Sequence, residues 1–164
     1  MDAAQLFDEH HAALYRYLLR LTGDPDAAAD ALQEAFARLL ERRPREERLR
    51  AWLFTVATNV VREAANARQR RARLLERFRG RAPTPSPAPD PLATTEAEDR
   101  RTRVRAALAV LSDRERTVLL MREEGFAHRE IAEAVGTTTG SVGTMIARAL
   151  DKLAEHLPLD EEDA

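Results

Sequence analysis

Residues 111–157 read LSDRERTVLLMREEGFAHREIAEAVGTTTGSVGTMIARALDKLAEHL, and this last third of the chain decides the fold. Ser112 and Glu115 have the spacing of a capping box, in which each side chain binds a free backbone N–H of the other residue at a helix start. Gly125 and Gly136 mark the ends of two short helices, and a turn of three threonines leads into a longer last helix. This order predicts a helix-turn-helix, the motif that places a helix in the major groove of DNA.

The composition of the 164-residue chain predicts an all-α, soluble protein. Hydrophobic residues make up 44% of the sequence, which is enough for a core, while aromatics at 5% and a lack of strand-like alternation favour helices. The absence of cysteine excludes disulfides, thiolate metal sites and a cysteine nucleophile. No apolar run approaches the roughly 20 residues that span a bilayer, so we expect a cytoplasmic location.

The histidines and short motifs give no indication of an enzyme. The four histidines are scattered without the spacing of a metal site, and the chain has neither a GxSxG motif nor a phosphate loop. We therefore expect no catalytic residue, no metal and no cofactor. The histidines are His10, His11, His128 and His156.

Positive charge is concentrated in one tract although the net charge of the chain is −2. Between Arg62 and Arg81, eight arginines are accompanied only by the acids Glu63 and Glu76. Such a tract is typical of a surface that binds nucleic-acid phosphates. A solvated helix end with many salt bridges is the alternative that the pattern leaves open.

Apolar periodicity and capping signals divide residues 1–79 into three or four helices, of which three can be delimited. The first is predicted over residues 3–22, and Asp24-Pro25-Asp26 supplies the cap and the first-turn proline of the second. The third begins near Glu47 and continues into the arginine tract, and a further helix is predicted from Glu96 to Leu111. The predicted apolar faces of the helices include Phe7, Leu40 and Leu150.

A proline-rich segment separates two predicted domains. Residues 80–91 read GRAPTPSPAPDP, in which five prolines prevent a helix and favour an extended spacer. The nine residues from Pro83 to Pro91 would span roughly 28 Å at about 3.1 Å per residue, so we expect two modules held apart on one partner. The predicted boundaries are 1–79 for the first domain, 80–95 for the linker, 96–158 for the second domain and 159–164 for an acidic tail.

Three stretches resemble, in the expected order, the motifs of one protein family. Residues 26–40, DAAADALQEAFARLL, are similar to the polymerase-binding helix of region 2 in bacterial sigma factors of the extracytoplasmic-function (ECF) group. Residues 51–60, AWLFTVATNV, are similar to the AWLFRIARN signature of the next helix, and residues 111–157 resemble region 4. The resemblance covers nearly the whole chain and implies a sigma factor that contains only regions 2 and 4.

The resemblance implies that region 2 docks on a coiled coil of core RNA polymerase. Gln33 and Glu34 are polar and suit pairing with arginines of a partner helix, whereas core packing is the preferred interpretation of Phe36. The positions carried over to this interface are Asp30, Leu32, Gln33, Glu34 and Phe36.

The same resemblance implies that region 2 holds the melted strand of the minus-ten promoter element. Asn59 matches the family's base-contacting asparagine, whose amide offers the donor and the acceptor that a base edge needs. Trp52 is interpreted as a core residue in preference to a stacking platform. The positions implied for this contact are Trp52, Asn59, Arg62, Arg68, Arg70 and Arg71.

Region 4 is implied to read the minus-thirty-five element in duplex promoter DNA. Gly143, Met145 and Leu150 stand where the family usually has basic residues, so we expect a weakly cationic recognition surface. The loop between region 2 helices, residues 42–50, also lacks the family's F-R-G-[DN] segment. The positions implied for this contact are Arg129, Thr139, Gly140, Ser141, Thr144 and Arg148.

Two other functions stay open at this point. A helix-turn-helix regulator would bind duplex DNA without polymerase, and a sigma-like protein would bind its partner without initiating transcription. The resemblance also implies an anti-sigma factor as a regulatory partner. The acidic run from Asp160 to Asp163 is interpreted as a solubilising end, and competition with DNA for the basic surface is the alternative.

Overall fold

The computed structural model describes residues 3–42, 44–79 and 95–157, which form an all-α fold, as predicted. The helices α1–α3 pack together as an N-terminal module, and α4–α7 as a C-terminal module. None of the described helices combines the length and the apolar character that crossing a membrane requires. In chain order the elements are α1 (Ala3–Thr22), α2 (Pro25–Arg42), a 3₁₀ turn (Glu46–Arg48), α3 (Leu49–Arg79), α4 (Glu96–Ala109), α5 (Asp113–Glu123), α6 (His128–Val135) and α7 (Thr139–His156).

The helix ends lie where the capping signals predicted them. The Asp24 carboxylate accepts a hydrogen bond of 2.9 Å from the backbone N–H of Asp26 and so caps α2. The capping box before α5 is present, because the Ser112 N–H donates to the Glu115 carboxylate at 2.9 Å and the Glu115 N–H donates to the Ser112 hydroxyl at 3.3 Å. Gly136 has a φ of +66°, the left-handed conformation that ends α6.

The N-terminal module is built around Tyr17 and Phe54, which are both fully buried. Their ring centroids lie 5.0 Å apart, and the Tyr17 hydroxyl is 2.7 Å from the Thr58 hydroxyl. Burial raises the pKa of Tyr17 well above its ordinary value. Phe54 is fully buried, although it is absent from the predicted buried face of this helix. The residues predicted for that face are Trp52, Leu53, Val56, Ala57, Val60 and Val61.

Four side chains that were predicted on apolar faces are exposed instead, and one of them is Val104, from the predicted face of the helix Glu96 to Leu111. Phe7 lies at the surface and stacks on His11 at a centroid distance of 4.7 Å, Leu40 is in the last turn of α2, and Leu150 is an exposed residue of α7. Each has the helical spacing of a core residue, but neighbouring elements cover it only in part; Phe7, for example, contacts Phe36 of α2 and is still 42% exposed. Periodicity identifies the apolar stripe, whereas the neighbouring helices decide how far along it burial extends.

The two modules pack directly on each other in the isolated chain. Phe126, just after α5, meets Phe54 of α3 edge-on at a centroid distance of 4.9 Å. The Arg50 guanidinium lies 4.4 Å above the Phe126 ring and donates a hydrogen bond of 2.7 Å to the Glu124 carbonyl. The Glu124 carboxylate is also 2.9 Å from Arg20 of α1. We call this contact between the modules the seam.

The seam belongs to the isolated chain, so the expectation that the two modules are held apart on a partner stays a prediction. Most of the predicted linker, residues 80–94, and the predicted acidic tail, residues 159–164, lie outside the described residues. A proline-rich spacer sets how far two modules can separate, but it does not prevent them from packing. Phe54 and Phe126 each bring an aromatic ring to the boundary of their module, and pairing the rings removes both from water. The N-terminal and C-terminal modules consequently contribute to one continuous apolar cluster.

The helix α3 has two halves with opposite surroundings. Its inner half, residues 49–65, packs against α1, α2 and α6. Every residue of its outer half, residues 66–79, is exposed, and we call this half the arm. The prediction that the third helix continues into the arginine tract is therefore confirmed, and the tract projects away from the core.

Candidate nucleic-acid interface

Four of the six residues predicted to contact the minus-ten element lie on one face of α3. Trp52 and Arg70 are separated by 18 positions, about five helical turns, and therefore point in nearly the same direction. Asn59 and Arg62 lie between them on the same side, opposite the buried Leu53 and Ala57. Trp52 is half-buried against the core, Asn59 is partly exposed, and both arginines are exposed. We call this face the α3 stripe.

The other two predicted residues, Arg68 and Arg71, point away from the α3 stripe. Arg68 lines a groove between α2 and α3 together with Asp26 and Asp30. It also lines a cavity of about 180 Å³ where α3 meets α5, opposite Asp113. Arg71 is exposed on the side of the arm that carries Leu75 and Phe78. The structure therefore divides the arginine tract into two faces, a division that the count of charges did not reveal.

Three further polar residues continue the α3 stripe and were missed by the sequence analysis. Asn66, Arg73 and Arg77 are exposed and occupy the same side of the helix. Arg77 lies 18 positions after Asn59 and thus has the same orientation. The signal was present in the sequence as this 18-residue repeat, but the tract was treated as a block of charge rather than as two faces of a helix.

One acid, Glu63, also lies on the α3 stripe, and its charge is already compensated. Its carboxylate is 3.1 Å from Arg38 of α2, which also contacts Glu34 at 2.8 Å. The two carboxylates raise the pKa of Arg38 above its ordinary value. Arg38 thereby reduces the repulsion that Glu63 would exert on a nucleic-acid backbone.

The residues predicted to bind core polymerase form an exposed polar edge with an apolar base. Asp30, Gln33 and Glu34 lie at i, i+3 and i+4 on α2 and are all exposed, while Leu32 is half-buried. Phe36 is only 9% exposed and packs on Phe7 with ring centroids 4.9 Å apart. The preferred interpretation of Phe36 as a packing residue agrees with this geometry.

The outer face of α7 carries most of the residues predicted to read the minus-thirty-five element. Thr139, Gly140, Thr144 and Arg148 are exposed there, and Arg148 forms no ion pair with any residue of the described chain. The Ser141 hydroxyl lies 2.8 Å from the Thr138 hydroxyl at the helix start, so it is already engaged. The opposite side of α7 is anchored by fully buried side chains, which are Val142 and Ala149.

The remaining region 4 candidate, Arg129 on α6, is held by an acid. Its guanidinium is 3.3 Å from Glu133, which also lies 3.5 Å from Arg48 of the N-terminal module. Both pairs are well exposed, so each contributes little to stability. A phosphate would have to compete with Glu133 for Arg129 in this packed arrangement.

An ion pair fixes the second half of α7 against α5. The Lys152 ammonium lies 2.8 Å from both carboxylate oxygens of Glu115, the same residue that closes the capping box. Lys152 and the backbone N–H of Ser112 lower the pKa of Glu115 to about 2. The pair therefore adds a polar contact to the apolar packing of α7 against α5.

Comparison with known proteins assigns both modules to one family. The family model "Sigma-70 region 2" matches residues 6–71, and "Sigma-70, region 4" matches residues 101–153. The ECF RNA polymerase sigma factor EcfG of Rhodopseudomonas palustris is 30% identical over 153 residues, which cover 90% of this chain and 81% of EcfG. The chain belongs to the ECF sigma factor family.

Two further likenesses place this sigma factor among its relatives. The ECF sigma factor SigL of Mycobacterium tuberculosis is 47% identical over 64 residues, and the alignment spans only 34% of the length of each chain. The solved structure of the sigma factor RpoE in complex with the anti-sigma factor NepR from Bartonella quintana has a TM-score of 0.70 at 22% identity. It covers 96% of this chain and 97% of RpoE, so the two proteins share their fold.

Proposed function

We propose that this sigma factor binds core RNA polymerase and directs promoter-specific initiation by reading two promoter elements and melting the one nearer the start site. The observation that supports the proposal is that one chain presents two exposed faces, on α3 and on α7, whose residues would suit nucleic acid in different ways. The α3 stripe combines an aromatic ring, an amide and arginines, a combination that suits unstacked single-stranded bases and their phosphates. The outer face of α7 is the exposed side of a helix-turn-helix, which suits a duplex major groove.

In the N-terminal module, residues 1–79, the two sides of the molecule have different tasks. The exposed edge of Asp30, Gln33 and Glu34 on α2 contacts the polymerase, while Leu32 and Phe36 support it from below. On α3, Asn59 reads a base of the minus-ten element through its amide, and Trp52 supports the same face. Arg62 and Arg70 bind phosphates along the α3 stripe, and Arg68 and Arg71 contribute from its flank.

In the C-terminal module, residues 96–158, α7 enters the major groove of the minus-thirty-five element. Arg148, which has no ion pair within the described residues, can reach a guanine, a contact worth about 1–3 kcal/mol of discrimination. Thr139, Gly140, Ser141 and Thr144 form the part of the helix nearest to the DNA. Arg129 adds a phosphate contact once it exchanges Glu133 for DNA.

A regulatory partner of anti-sigma type fits the packed arrangement of the modules. The seam closes through Phe54, Phe126 and Arg50 with no partner present. A protein that bound across both modules would lose little binding free energy to ordering them, because they are already packed together. Such a partner would separate the α2 edge from polymerase, and its release would restore binding.

Transcription with purified core polymerase tests the proposal. Genomic promoter fragments are transcribed with core alone, with core and the wild-type chain, and with core and the Asn59→Ala variant. We expect start-site-specific transcripts that require the chain and disappear with Asn59→Ala, while the thermal unfolding midpoint of the variant stays unchanged because Asn59 is partly exposed.

A duplex-binding regulator is the competing function, because the outer face of α7 stays exposed while the modules are packed. A gel-shift experiment without core separates the two. Tight duplex binding by the chain alone, together with no transcripts in the presence of core, would support the regulator and refute the sigma-factor proposal.

A further inference from the structure

A cavity of about 180 Å³ lies between the two modules. Most of its wall belongs to the N-terminal module, from the end of α1, the first turn of α2 and the middle of α3, and the rest comes from the start of α5. The volume is slightly larger than the roughly 150 Å³ that accommodates a benzene molecule in an apolar protein core. The cavity therefore has room for one small organic molecule, which would contact both modules.

Part of the cavity wall is apolar and offers no free hydrogen-bond donor. The apolar side chains there are buried or half-buried, and they are Leu21, Ala27, Val61 and Ala65. Three threonine hydroxyls also line the cavity, but each donates at 2.7–2.8 Å to a backbone carbonyl four positions earlier in its own helix. These threonines are Thr22, Thr58 and Thr117. This part of the wall suits the apolar half of a ligand.

The free donors of the cavity are guanidinium groups. Arg62 and Arg68 line it from α3, and neither forms an ion pair or a hydrogen bond within residues 3–42, 44–79 and 95–157. Arg116 lines it from α5 and is held in place, because its guanidinium donates to the carbonyls of Leu108 at 3.0 Å and Leu21 at 3.3 Å. Guanidinium groups converging on one cavity suit a carboxylate or phosphate.

Two acids also line the cavity, and their charges are partly compensated by helix starts. The Asp24 carboxylate accepts hydrogen bonds at 2.9 Å and 3.4 Å from the backbone N–H groups of Asp26 and Ala27 in the first turn of α2. Asp113 is the first residue of α5, and its 88% exposed side chain lies 3.9 Å from Arg116. Both carboxylates interact favourably with a helix dipole. The three guanidinium groups therefore outweigh the two acids, and the cavity favours an anion.

We propose that the cavity binds a small amphiphilic anion, whose carboxylate or phosphate group meets Arg62 and Arg68 and whose apolar part, about the size of an aromatic ring, packs on the apolar wall. The bound molecule also contacts Arg116 of the C-terminal module. Because only the packed chain contains the complete site, the ligand stabilises the packed arrangement over a separated one.

The ligand opposes promoter binding, because it occupies two arginines that would otherwise bind promoter phosphates and holds the modules together. This inhibitory effect rests on the proposed function, whereas binding of the anion does not. The two can therefore be tested separately.

Isothermal titration of the full chain with phenyl phosphate and with benzoate tests the binding site. Each probe carries an aromatic ring and an oxyanion, and the comparison between them identifies the head group that the site prefers. Inorganic phosphate and benzyl alcohol serve as references, because each carries only one half of the proposed ligand. We expect one site per chain and an affinity for the better probe about tenfold above that of either reference.

Variants of α3 locate the bound probe. Arg68→Gln removes a cavity guanidinium and should weaken binding about tenfold, the scale of one charge-assisted hydrogen bond. Arg79→Gln is the matched control, because it removes an exposed arginine about 16 Å farther along the same helix, beyond the Debye length of about 10 Å. It should change the affinity less than about twofold. Ala65→Met fills part of the cavity without a change of charge and should weaken binding about fivefold or more.

Hydrogen exchange and transcription test the consequences of binding. The probe should slow amide exchange both in the middle of α3 and at the start of α5, because the ligand contacts both. At ten times its dissociation constant, the probe should raise the ratio of packed to separated chain about tenfold and lower the transcript yield accordingly. The Ala65→Met variant should transcribe like the wild-type chain without the probe and should resist the probe.

Equal binding of the probes and either reference, or equal weakening by Arg68→Gln and Arg79→Gln, would overturn the proposal, because the cavity would then not be the site that recognises the anion. Protection confined to α3, or a transcript yield that the bound probe leaves unchanged, would overturn it as well. In each case the wild-type chain would still initiate transcription, so the proposed function would stand. A wild-type chain that gives no transcripts would instead refute the proposed function, and the titrations would still decide whether the cavity binds an anion.

Discussion

The inner half of α3 and its arm are parts of one helix with opposite roles. The inner half buries Leu53, Phe54 and Ala57 completely and joins both modules through Phe126. The arm buries nothing and carries arginines that have no partner in the described chain. The difference shows that one continuous helix can supply the core of the fold at one end and a charged binding surface at the other. Substitutions in the two halves should accordingly affect different properties.

Stability should respond most to Phe54 in the inner half. Phe54→Ala removes a fully buried ring that contacts both Tyr17 and Phe126, so the free energy of unfolding should fall by about 3–5 kcal/mol. Urea denaturation followed by circular dichroism measures the change. Phe78→Ala in the arm is the matched control, because Phe78 is 85% exposed, and it should stay within about 0.5 kcal/mol of wild type. A comparable loss for both variants would abolish the distinction between the halves.

The seam should depend next on Glu124, whose side chain is 12% exposed between Arg20 and Arg50. Glu124→Gln leaves two guanidinium groups without a carboxylate, but both are partly solvated, so the packed arrangement should weaken by about 1–2 kcal/mol. The chain has no native cysteine, so spin labels at Glu9→Cys and Asp151→Cys can report the distance between the modules.

We expect the distribution of distances between the two labels to be broader, and shifted to longer distances, in Glu124→Gln than in the chain that keeps Glu124. The neighbouring Glu123→Gln changes the same charge at an exposed position and should leave the distribution unchanged. If both variants gave the wild-type distribution, the aromatic contact between Phe54 and Phe126 alone would hold the modules together.

A smaller, pH-dependent effect should arise from Glu115, a paired charge that contrasts with the unpaired charges of the arm. Lys152 lowers the pKa of Glu115 to about 2 in the folded chain, whereas an unfolded glutamate titrates near 4.5. The stability that this carboxylate contributes is therefore complete above pH 4.5 and is lost as the pH falls from about 4.5 to about 2.

Glu115→Gln tests this effect because the amide oxygen can still accept the capping-box hydrogen bond from Ser112. The difference in unfolding free energy between wild type and variant should be largest at neutral pH and shrink below pH 4.5. Urea denaturation at a series of pH values measures it. A difference that stayed constant from pH 7 to pH 3 would show that the ion pair with Lys152 does not stabilise α7 against α5.

The smallest effect on stability is expected in the arm, where binding should change instead. Arg70→Gln should leave the free energy of unfolding within about 0.5 kcal/mol of wild type, because Arg70 is exposed and unpaired. For binding of a single-stranded oligonucleotide, the slope of log affinity against log salt concentration should decrease in magnitude by about 0.7, which is the contribution of one phosphate. Isothermal titration at several salt concentrations provides the slope. A slope equal to that of wild type would show that Arg70 does not contact a phosphate.

Much of the fold followed from local signals. The capping box at Ser112, the proline start of α2 and the left-handed Gly136 define helix ends through the backbone itself, so they predict the same ends whatever packs nearby. Apolar spacing likewise predicted α1 over residues 3–22. The three stretches that resemble the ECF family lie within or overlap the residues that the two sigma-70 models match.

Other properties required contacts between residues that are distant in the sequence. Phe54 was missed because its burial depends on Tyr17 and Phe126, 37 and 72 positions away, and no local pattern encodes those neighbours. Phe7, Leu40, Val104 and Leu150 have core spacing, but the neighbouring helices leave them largely exposed. The same holds for the site residues. The arginines of the tract lie on two faces of α3, and this division was recognised only once α3 was known to be one continuous helix with α2 packed on one side.

By itself, the sequence determined the all-α fold, the helix ends and the two sigma-factor modules, because caps, periodicity and family motifs act over a few residues at a time. Only the tertiary structure decided that the modules pack through the seam, that Glu63 is neutralised by Arg38, and that Phe54 is buried between Tyr17 and Phe126. Each of these depends on distances and directions between side chains, and these are fixed only when the helices are packed in three dimensions.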